Sequence, residues 1–424
     1  MKEKLLQYIW QYQYYNKSEL ATTEGLKLEI LNTGQFNKNQ GPDFSEARIR
    51  IGETTWAGNI EIHTYSSDWN LHNHSEDSNY GNIILHVVWR HDKEIIDLKG
   101  HVLPTLELGC LVSNLLLNKY EDLMTATSFI ACEKQIGSVN TLVISKWQER
   151  LMIERLERKS MLLFNFLREN NFNWEQTFWW LIARNFGATV NSDFFEKLAR
   201  SVSLSILAKH KNQIHQLEAI LFGQASLLDQ RFTEDYPKML QKEYKFYRQK
   251  YALEKVPLQL FFLRMRPANF PTLRIAQLAM LISESNHLFS KIKESNNVKD
   301  VMSMLNITAN DYWHYHYRFN EISAYKRKKL GQQMISNIMI NTIIPVLFAY
   351  GSHHKEDHYK QKSLDWLEEI TSEKNAITQK FINLGIENHC AFQSQSLIEL
   401  KTQYCDVKRC LECSIGNAIF KINK

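Results

Sequence analysis

The chain has 424 residues, of which 44% are hydrophobic and 12% aromatic, so it can bury a large core and is long enough for two or more domains. This composition excludes a disordered chain. We find no secretion signal and no charge-free stretch of twenty residues, and we therefore expect a cytoplasmic protein without a membrane partner. The most apolar stretch, residues 334–351, contains several polar residues and a proline and predicts a buried helix.

The net charge of +5 is distributed unevenly along the chain. Residues 1–109 contain ten lysines and arginines against fifteen aspartates and glutamates, whereas the rest contains 41 against 31. An acidic segment together with a basic one suits a metal site and a surface for a polyanion. Ordinary solvated helical faces explain the same charges, and both interpretations stay open.

The chain begins with an amphipathic pattern over EKLLQYIWQYQYYN, which predicts a first helix. Three strand-like stretches follow, LKLEILNTG, DFSEARIRI and TTWAGNIEIHT, each with alternating apolar and polar residues. In the third stretch this alternation directs Ile60 and Ile62 to one face of the sheet and Glu61 and His63 to the other. The dipeptide GE at residues 52–53 predicts a hairpin turn between the second and third strands.

A second helix is predicted over SSDWNLHNHSEDSNY, because serine and aspartate are typical of helix N-termini. The continuous apolar run NIILHVVWR predicts a buried strand, and EIIDL and LPTLEL extend the sheet. The order is therefore α, β, β, β, α, β over residues 1–110. Residues 111–424 have helical spacing and few prolines or glycines, which predicts a large all-α region and an α+β fold overall.

Two short motifs, GPDF at residues 41–44 and EIH at residues 61–63, place acidic groups on neighbouring strands. Metal-dependent phosphodiester hydrolysis needs converging carboxylates, because a hard cation such as Mg²⁺ takes oxygen ligands. Asp43 and Glu61 can converge in this way, with the backbone carbonyl of Ile62 as a further metal ligand. His63, on the same face as Glu61, is then expected to orient or deprotonate the attacking water.

The element order and the PD, spacer and E-x-H pattern resemble the PD-(D/E)XK nuclease superfamily. In that superfamily the acids bind the metal and a lysine assists the nucleophile, which implies metal-binding roles for Asp43 and Glu61. His63 occupies the lysine position, and an imidazole there favours Mn²⁺ or Zn²⁺ over Mg²⁺. The resemblance implies a nuclease that uses Mg²⁺ or Mn²⁺ to hydrolyse nucleic acid, foremost DNA. The alternatives are a nucleic-acid-binding module that does not cut, and a hydrolase of another phosphate ester.

The stretch DWNLHNHSED places His72, His74 and Asp77 within six residues. We expect His72 and His74 to contact phosphate, protonate the leaving group or hydrogen-bond to His63, although a polar solvent face explains them equally well. On a helix His72 would be rotated by about 200 degrees from His74, so the two would not face one ion. His86, inside an apolar strand, is interpreted as a core histidine.

A cysteine cluster near the end of the sequence, CDVKRCLEC, has C-x4-C-x2-C spacing. Cys405, Cys410 and Cys413 can bind one metal centre if a fourth ligand joins them. The candidates for that ligand are Cys132, Cys390 and His389. Some iron–sulfur relatives of the PD-(D/E)XK nucleases pair three C-terminal cysteines with one distant cysteine, which implies Cys132. An iron–sulfur cluster, Zn²⁺ and unligated thiols all remain open.

The stretch RMRPANFPTLR interrupts the helical pattern and clusters Arg264, Arg266 and Arg274. Guanidinium groups on a proline-stiffened loop suit bidentate bonds to phosphate, so we expect these arginines to bind nucleic acid. Pairing with acids of the helical region is the alternative. No phosphate-binding loop of the G-x-x-x-x-G-K type is visible, so no ATP-driven motor is expected.

The whole chain also resembles an uncharacterised bacterial family of unknown function, through GPDF, GNIEIH, SSDWNLHNH, NIILHVVW, RMRPANFP and CLECSIG. This resemblance implies no activity. The sequence predicts neither an oligomeric state nor a pathway.

Overall fold

The structure is a computed structural model that describes residues 2–37, 40–74, 77–97, 100–257, 259–263, 265–285 and 287–421. The chain divides into two compact units, one formed by Met1–Trp147 with Lys401–Lys424 and the other by Gln148–Leu400. The boundary predicted at residue 110 falls inside the first unit. The C-terminal segment belongs to that unit because Phe420 shares a core with Leu5 and Tyr8.

The elements are numbered in chain order. The strands are β1 (Leu28–Asn32), β2 (Gln35–Phe36), β3 (Phe44–Ile51), β4 (Thr54–Tyr65), β5 (Ile83–Arg90), β6 (Thr105–Glu107), β7 (His316–Arg318) and β8 (Glu321–Ile322). The helices are α1 (Glu3–Gln11), α2 (Asp68–Leu71), α3 (Asn114–Thr125), α4 (Thr141–Glu169), α5 (Trp174–Phe186), α6 (Ala188–Ser201), α7 (Leu204–His210), α8 (Ile214–Gln224), α9 (Asp235–Lys250), α10 (Pro271–Glu284), α11 (Leu288–Glu294), α12 (Val298–Met304), α13 (Gln332–Ile338), α14 (Ile344–His354), α15 (Asp357–Glu369), α16 (Ala376–Asn383), α17 (Ala391–Glu399) and α18 (Ser414–Lys421).

The first unit is built on a mixed sheet with the strand order β1-β3-β4-β5-β6, and the short β2 pairs with β3 beside this path. Strand β3 is antiparallel to β1 and β4, whereas β5 is parallel to both β4 and β6. The sheet forms a half-barrel and is followed by a large helical region, so the predicted α+β fold is confirmed. The predicted helix–strand order is also found, with β2 as an added strand.

Alternation along β4 determines which side chains face the core. Ile60 and Ile62 are fully buried in the core that α1 covers, and each such residue contributes about 1.5–3 kcal/mol of burial energy. Glu61 and His63 therefore lie on the opposite face of the strand. Gly52 has a φ of +58° at the β3–β4 turn, which is where the sequence predicts the hairpin.

The helix predicted over residues 66–80 is largely absent. Helix α2 ends at Leu71, and Asn73 follows in the left-handed region with a φ of +57°. Asp77 accepts a hydrogen bond from the amide of Asn79 and caps a short 3₁₀ turn over Ser78–Tyr80. Asparagine and aspartate side chains compete for backbone hydrogen bonds and favour such turns over a continuous helix.

The second unit is helical apart from the β7–β8 hairpin, a small departure from the predicted all-α region. In the described part of the chain, one helical span, Gln332–His354, is long and apolar enough to cross a membrane, with a hydropathy of 1.5 in its most apolar window. Of that window, 72% is buried inside the structure. A buried core helix of a soluble protein has the same properties, and such a helix is what the sequence predicts.

Candidate metal centres

The structure brings Asp43, which directly precedes β3, next to Glu61 within β4. The amide of Asp43 donates a hydrogen bond to Oε2 of Glu61 over 3.0 Å. The carboxylate of Asp43 accepts hydrogen bonds from Nε2 of Gln7 at 2.9 Å and from the amide of Ile62 at 3.2 Å. Ile62 thus contributes its N–H to this site, and the role predicted for its carbonyl stays a prediction.

The electrostatics of these acids favour a bound cation. Burial, and then the neighbouring charge of Glu61, raise the pKa of Asp43 to about 8, despite opposing hydrogen bonds from Gln7 and Ile62. Burial and Glu61 also raise the pKa of Glu3, an acid on α1. Carboxyl groups that crowd in a partly desolvated place cannot all stay ionised unless a positive charge joins them.

His63 lies beside the carboxylates and is only 1% exposed. Its Nδ1 is 2.8 Å from Nε2 of His86, and its Nε2 is 3.1 Å from Nδ1 of His72. Nε2 of His63 is also 3.7 Å from Oε1 of Glu61. Burial, followed by the nearby His86, lowers the pKa of His63 to about 2, so its ring is neutral and has the lone pair that a metal ligand needs.

His72 and His74 reach the same place because α2 ends early and the chain turns at Asn73. Nε2 of His74 is 3.4 Å from Oε1 of Glu61. One ring nitrogen from each of His63, His72 and His74 lies within 4.8 Å of the others, and no other such three-residue group occurs among the described residues. Three imidazoles beside a carboxylate are the donors that Zn²⁺ or Mn²⁺ accepts, so these residues fit a divalent metal.

Two residues near this site, His86 and Gln7, were missed from the sequence, whereas Glu3 is, as the acid on the first predicted helix, a candidate ligand that the sequence leaves unassigned. His86 is fully buried and pairs in register with Glu61 across β4 and β5. Gln7 and Glu3 approach the acids from α1. Their signals were an isolated histidine in an apolar strand and polar residues within an amphipathic helix. Neither signal identifies a partner without the strand register.

The four cysteines Cys132, Cys405, Cys410 and Cys413 line one small cavity in the first unit. Burial, followed by the neighbouring thiols, raises the pKa of Cys132 to about 12. Of the predicted fourth ligands, Cys132 is the one that joins this cavity. Cys390 instead precedes α17 in the second unit, and the side chain of His389 is 76% exposed.

Close packing holds the chain around this cavity. A Cβ atom on Gly416 would lie 2.1 Å from the carbonyl oxygen of Cys410, so a glycine is needed where α18 passes the cysteine loop. The guanidinium of Arg409 lies 4.4 Å from the ring centre of Tyr404, and Tyr404 in turn contacts Trp147 at 5.1 Å. The cysteines thus sit where the C-terminal segment meets the N-terminal part of the chain.

The predicted nucleic-acid-binding arginines belong to the second unit. Arg266 and Arg274 line the same large cavity, and Arg264 lies outside the described residues. Arg274 donates hydrogen bonds to the amide oxygens of Gln277 at 3.0 Å and Asn269 at 2.7 Å. These partners are neutral, in contrast to the acids that the alternative interpretation expects.

A family model matches most of the chain. The model of the family described as "Protein of unknown function (DUF2851)" covers residues 3–376, and the chain therefore belongs to this family. The match includes the acids and histidines and ends before the C-terminal cysteines. No curated protein and no solved structure matches the chain. The expected membership of an uncharacterised family is confirmed, and the PD-(D/E)XK resemblance gains no support from these comparisons.

Proposed function

We propose that this DUF2851 protein is a metal-dependent phosphodiesterase that hydrolyses nucleic acid, foremost DNA. The observation that carries the proposal is the convergence of two carboxylates and three imidazoles on one side of the sheet. Oε1 of Glu61 is 3.4 Å from Nε2 of His74 and 3.7 Å from Nε2 of His63. Acids and imidazoles gathered in this way are typical of sites that bind a divalent ion for hydrolysis.

Glu61, His63, His72 and His74 would hold the metal, with Asp43 and the Ile62 carbonyl as further oxygen ligands. This mixture of nitrogen and oxygen donors favours Mn²⁺ or Zn²⁺ over Mg²⁺, which prefers oxygen. When bound, such an ion polarises a phosphoryl oxygen and lowers the pKa of a water molecule.

The protein's own residues prepare the site. Gln7 and the Ile62 amide fix the carboxylate of Asp43 through two hydrogen bonds. Nδ1 of His63 can donate its hydrogen to Nε2 of His86. In that tautomer Nε2 of His63 has a free lone pair, which faces His72 and Glu61. His72 is the exposed member of this ligand set, so a substrate phosphate can approach the site from its side.

One observation favours the second candidate, a nucleic-acid-binding protein that does not cut. His63 is buried and has a histidine neighbour at each ring nitrogen, so it has little freedom to serve as the base that the nuclease lysine position requires. In that case the metal would be structural. A hydrolase of another phosphate ester would use the same residues and differ in substrate alone.

For the cysteine cavity we infer a metal centre that fastens residues 401–424 to the N-terminal part of the first unit. Four thiolates that line one cavity can hold either a tetrahedral Zn²⁺ or an iron–sulfur cluster, and metal analysis of the purified protein distinguishes the two.

The test of the activity is a cleavage assay with single- and double-stranded DNA, RNA and bis(p-nitrophenyl) phosphate, in Mn²⁺, Zn²⁺, Mg²⁺ or EDTA. Glu61→Gln keeps an acceptor for the Asp43 amide but removes the charge, and should lower the rate on the order of 10²-fold or more. Glu29→Gln is the matched control, because Glu29 is exposed on β1 and pairs with Arg50.

The assay separates the candidates. Equal cleavage by wild type and Glu61→Gln would contradict the proposed site. Metal-dependent DNA binding without cleavage would establish the binding module instead. Cleavage of the small diester alone would identify a hydrolase of another phosphate ester.

A further inference from the structure

The second unit contains a large cavity of about 910 Å³ with a strongly basic lining. Among the described residues, eight lysines and arginines line it, four of them consecutive at residues 326–329, and no aspartate or glutamate does. The other four are Lys159, Arg184, Arg266 and Arg274. Such a concentration of one charge is unfavourable without a counter-charge and therefore indicates a place for an anion.

Two of these cations contact neutral groups of the lining directly. Nζ of Lys159 donates a hydrogen bond to Oδ1 of Asn341 over 2.7 Å. Lys328 is 3% exposed, and its Nζ lies 3.7 Å from the ring centre of Tyr317. Arg184 differs, because it pairs with acids outside the cavity lining, Asp193 at 2.8 Å and Glu196 at 2.5 Å.

Two of the lining cations are poorly solvated. Burial, and then Arg155 and Arg158, lower the pKa of Lys159 to about 7, although the charges of Glu373 and Glu399 oppose this shift. Burial lowers the pKa of Arg274 to about 10. A cation is costly in such a place unless an anion compensates it, and an anion bound there would gain strong charge-assisted hydrogen bonds.

The cavity also offers uncharged hydrogen-bonding groups and an apolar wall. A π-helical turn over Met339–Ile343 carries Asn341 and Thr342 into the lining, and such turns are frequent at functional sites. Nδ2 of Asn185 donates to Oγ1 of Thr342 at 3.1 Å, while its buried Oδ1 has no hydrogen-bond partner. The apolar part of the lining includes Leu162, Leu163, Phe166, Leu181, Met334 and Val346.

We propose that this cavity binds a nucleoside phosphate, either as a free nucleotide or as the phosphorylated end of a nucleic-acid strand. Lys159, Arg274 and Lys328 would take the phosphate oxygens. The amide side chains would bond to base edges, and the apolar wall would receive a base face. A volume near 910 Å³ suits a ligand of nucleotide size and is far larger than one phosphate ion needs.

This inference does not rest on the proposed hydrolysis, because all of its residues belong to the second unit. The full-length protein is therefore titrated in EDTA, with ATP, pyrophosphate and a short single-stranded oligonucleotide that has a 5′-phosphate or a 5′-hydroxyl. Calorimetry and fluorescence anisotropy give the dissociation constants. Failure of metal-dependent cleavage in the other unit leaves this measurement unaffected.

Arg274→Gln and Lys159→Met should each weaken binding about tenfold or more, the usual effect of losing a charge-assisted hydrogen bond. Arg274→Lys keeps the charge but loses the second nitrogen, and should fall between wild type and Arg274→Gln. Arg231→Gln is the matched control, since Arg231 is exposed in the same unit and does not line the cavity. Its dissociation constants should stay within about twofold of wild type.

Two results support the proposal and distinguish its sources. Tighter binding of the 5′-phosphorylated than of the 5′-hydroxyl strand, with competition by pyrophosphate, identifies a strand end. Tight binding of ATP with equal, weak binding of both strands identifies a free nucleotide. Absence of saturable binding by wild type overturns the proposal, as does equal binding by wild type, Arg274→Gln and Lys159→Met at unchanged melting temperatures. If Arg274→Gln or Lys159→Met has a lowered melting temperature, the dissociation constants of Arg274→Lys and Arg231→Gln are compared instead. Equal binding by these two variants overturns the proposal.

Discussion

His72 is the exposed member of the three histidines that surround Glu61, and this makes it the cleanest residue to remove. His72→Ala should weaken Mn²⁺ or Zn²⁺ binding about tenfold or more and leave the melting temperature of the metal-free protein nearly unchanged. Calorimetric titration with each metal measures the effect. His101→Ala is the control, because the side chain of His101 is 76% exposed in the same unit. Equal metal affinity in wild type and His72→Ala would exclude His72 as a ligand.

The contacts of single residues differ in whether the sequence can predict them. Glu61 and His63 can be assigned to one face because a strand alternates with a period of two. The approach of His74 to Glu61 cannot be assigned in this way, since it depends on the left-handed conformation at Asn73. Predicting that His86 lies beside Glu61 requires the parallel register of β4 and β5, which pairs the two residues. Local patterns carry no information about such long-range pairing.

At the scale of an element, α8 carries a buried acid that links the stability of the second unit to pH. Glu218 is fully buried and accepts hydrogen bonds from Oη of Tyr236 at 2.7 Å and from Nε1 of Trp313 at 3.2 Å. Burial outweighs these hydrogen bonds and raises the pKa of Glu218 from 4.5 to about 7. The folded state therefore favours the neutral acid more than the unfolded state does.

Glu218 makes the free energy of unfolding of the second unit decrease with rising pH. The stability that Glu218 contributes as a neutral acid is fully present below pH 4.5 and is lost as the pH rises through about 7. Glu218→Gln stays neutral, so wild type should lose roughly 3 kcal/mol relative to this variant between pH 4 and pH 8. Urea unfolding at both pH values measures the difference. Parallel stability curves for the two proteins would contradict the assignment.

Elements differ in how well the sequence predicts them. Strands β3 and β4 and the turn at Gly52 are found as predicted, because alternation and a glycine turn are local signals. The helix predicted over residues 66–80 is wrong beyond Leu71, where turn-forming asparagine and aspartate side chains prevail over helical propensity. The π-helical turn over Met339–Ile343 has no local signal either, since its sequence is that of an ordinary apolar helix.

Within the whole molecule, the segment after residue 400 packs in the same unit as the N-terminal sheet. Gly416→Ala should disturb this packing, because the added Cβ would lie 2.1 Å from the Cys410 carbonyl. We expect loss of iron or zinc from the cysteine centre and faster proteolysis of residues 401–424. Metal analysis and limited proteolysis measure both. Gly137→Ala is the control, since a Cβ there would meet no atom within 4 Å. Full metal content in Gly416→Ala would contradict the proposed centre.

The sequence predicted the fold class, because a sheet with period-two alternation and a long helical region are distinguishable by periodicity alone. The boundary predicted at residue 110 separates α3 and the C-terminal segment from the sheet, whereas both belong to the same unit as the sheet. That grouping depends on contacts such as Phe420 with Tyr8, whose ring centres are 5.6 Å apart although the residues lie at opposite ends of the chain. Only the motif C-x4-C-x2-C, which needs a distant fourth ligand, indicated that the C-terminal segment packs against the N-terminal part of the chain.

We propose that Glu61 and the three histidines bind a divalent metal. Anomalous diffraction from crystals grown with Mn²⁺, recorded above the manganese absorption edge, shows the position of such an ion. We expect an anomalous peak within bonding distance of a Glu61 carboxylate oxygen and of at least two nitrogens from His63, His72 and His74, and no such peak in Glu61→Gln crystals. A map of wild type in saturating Mn²⁺ without a peak among these residues would contradict it.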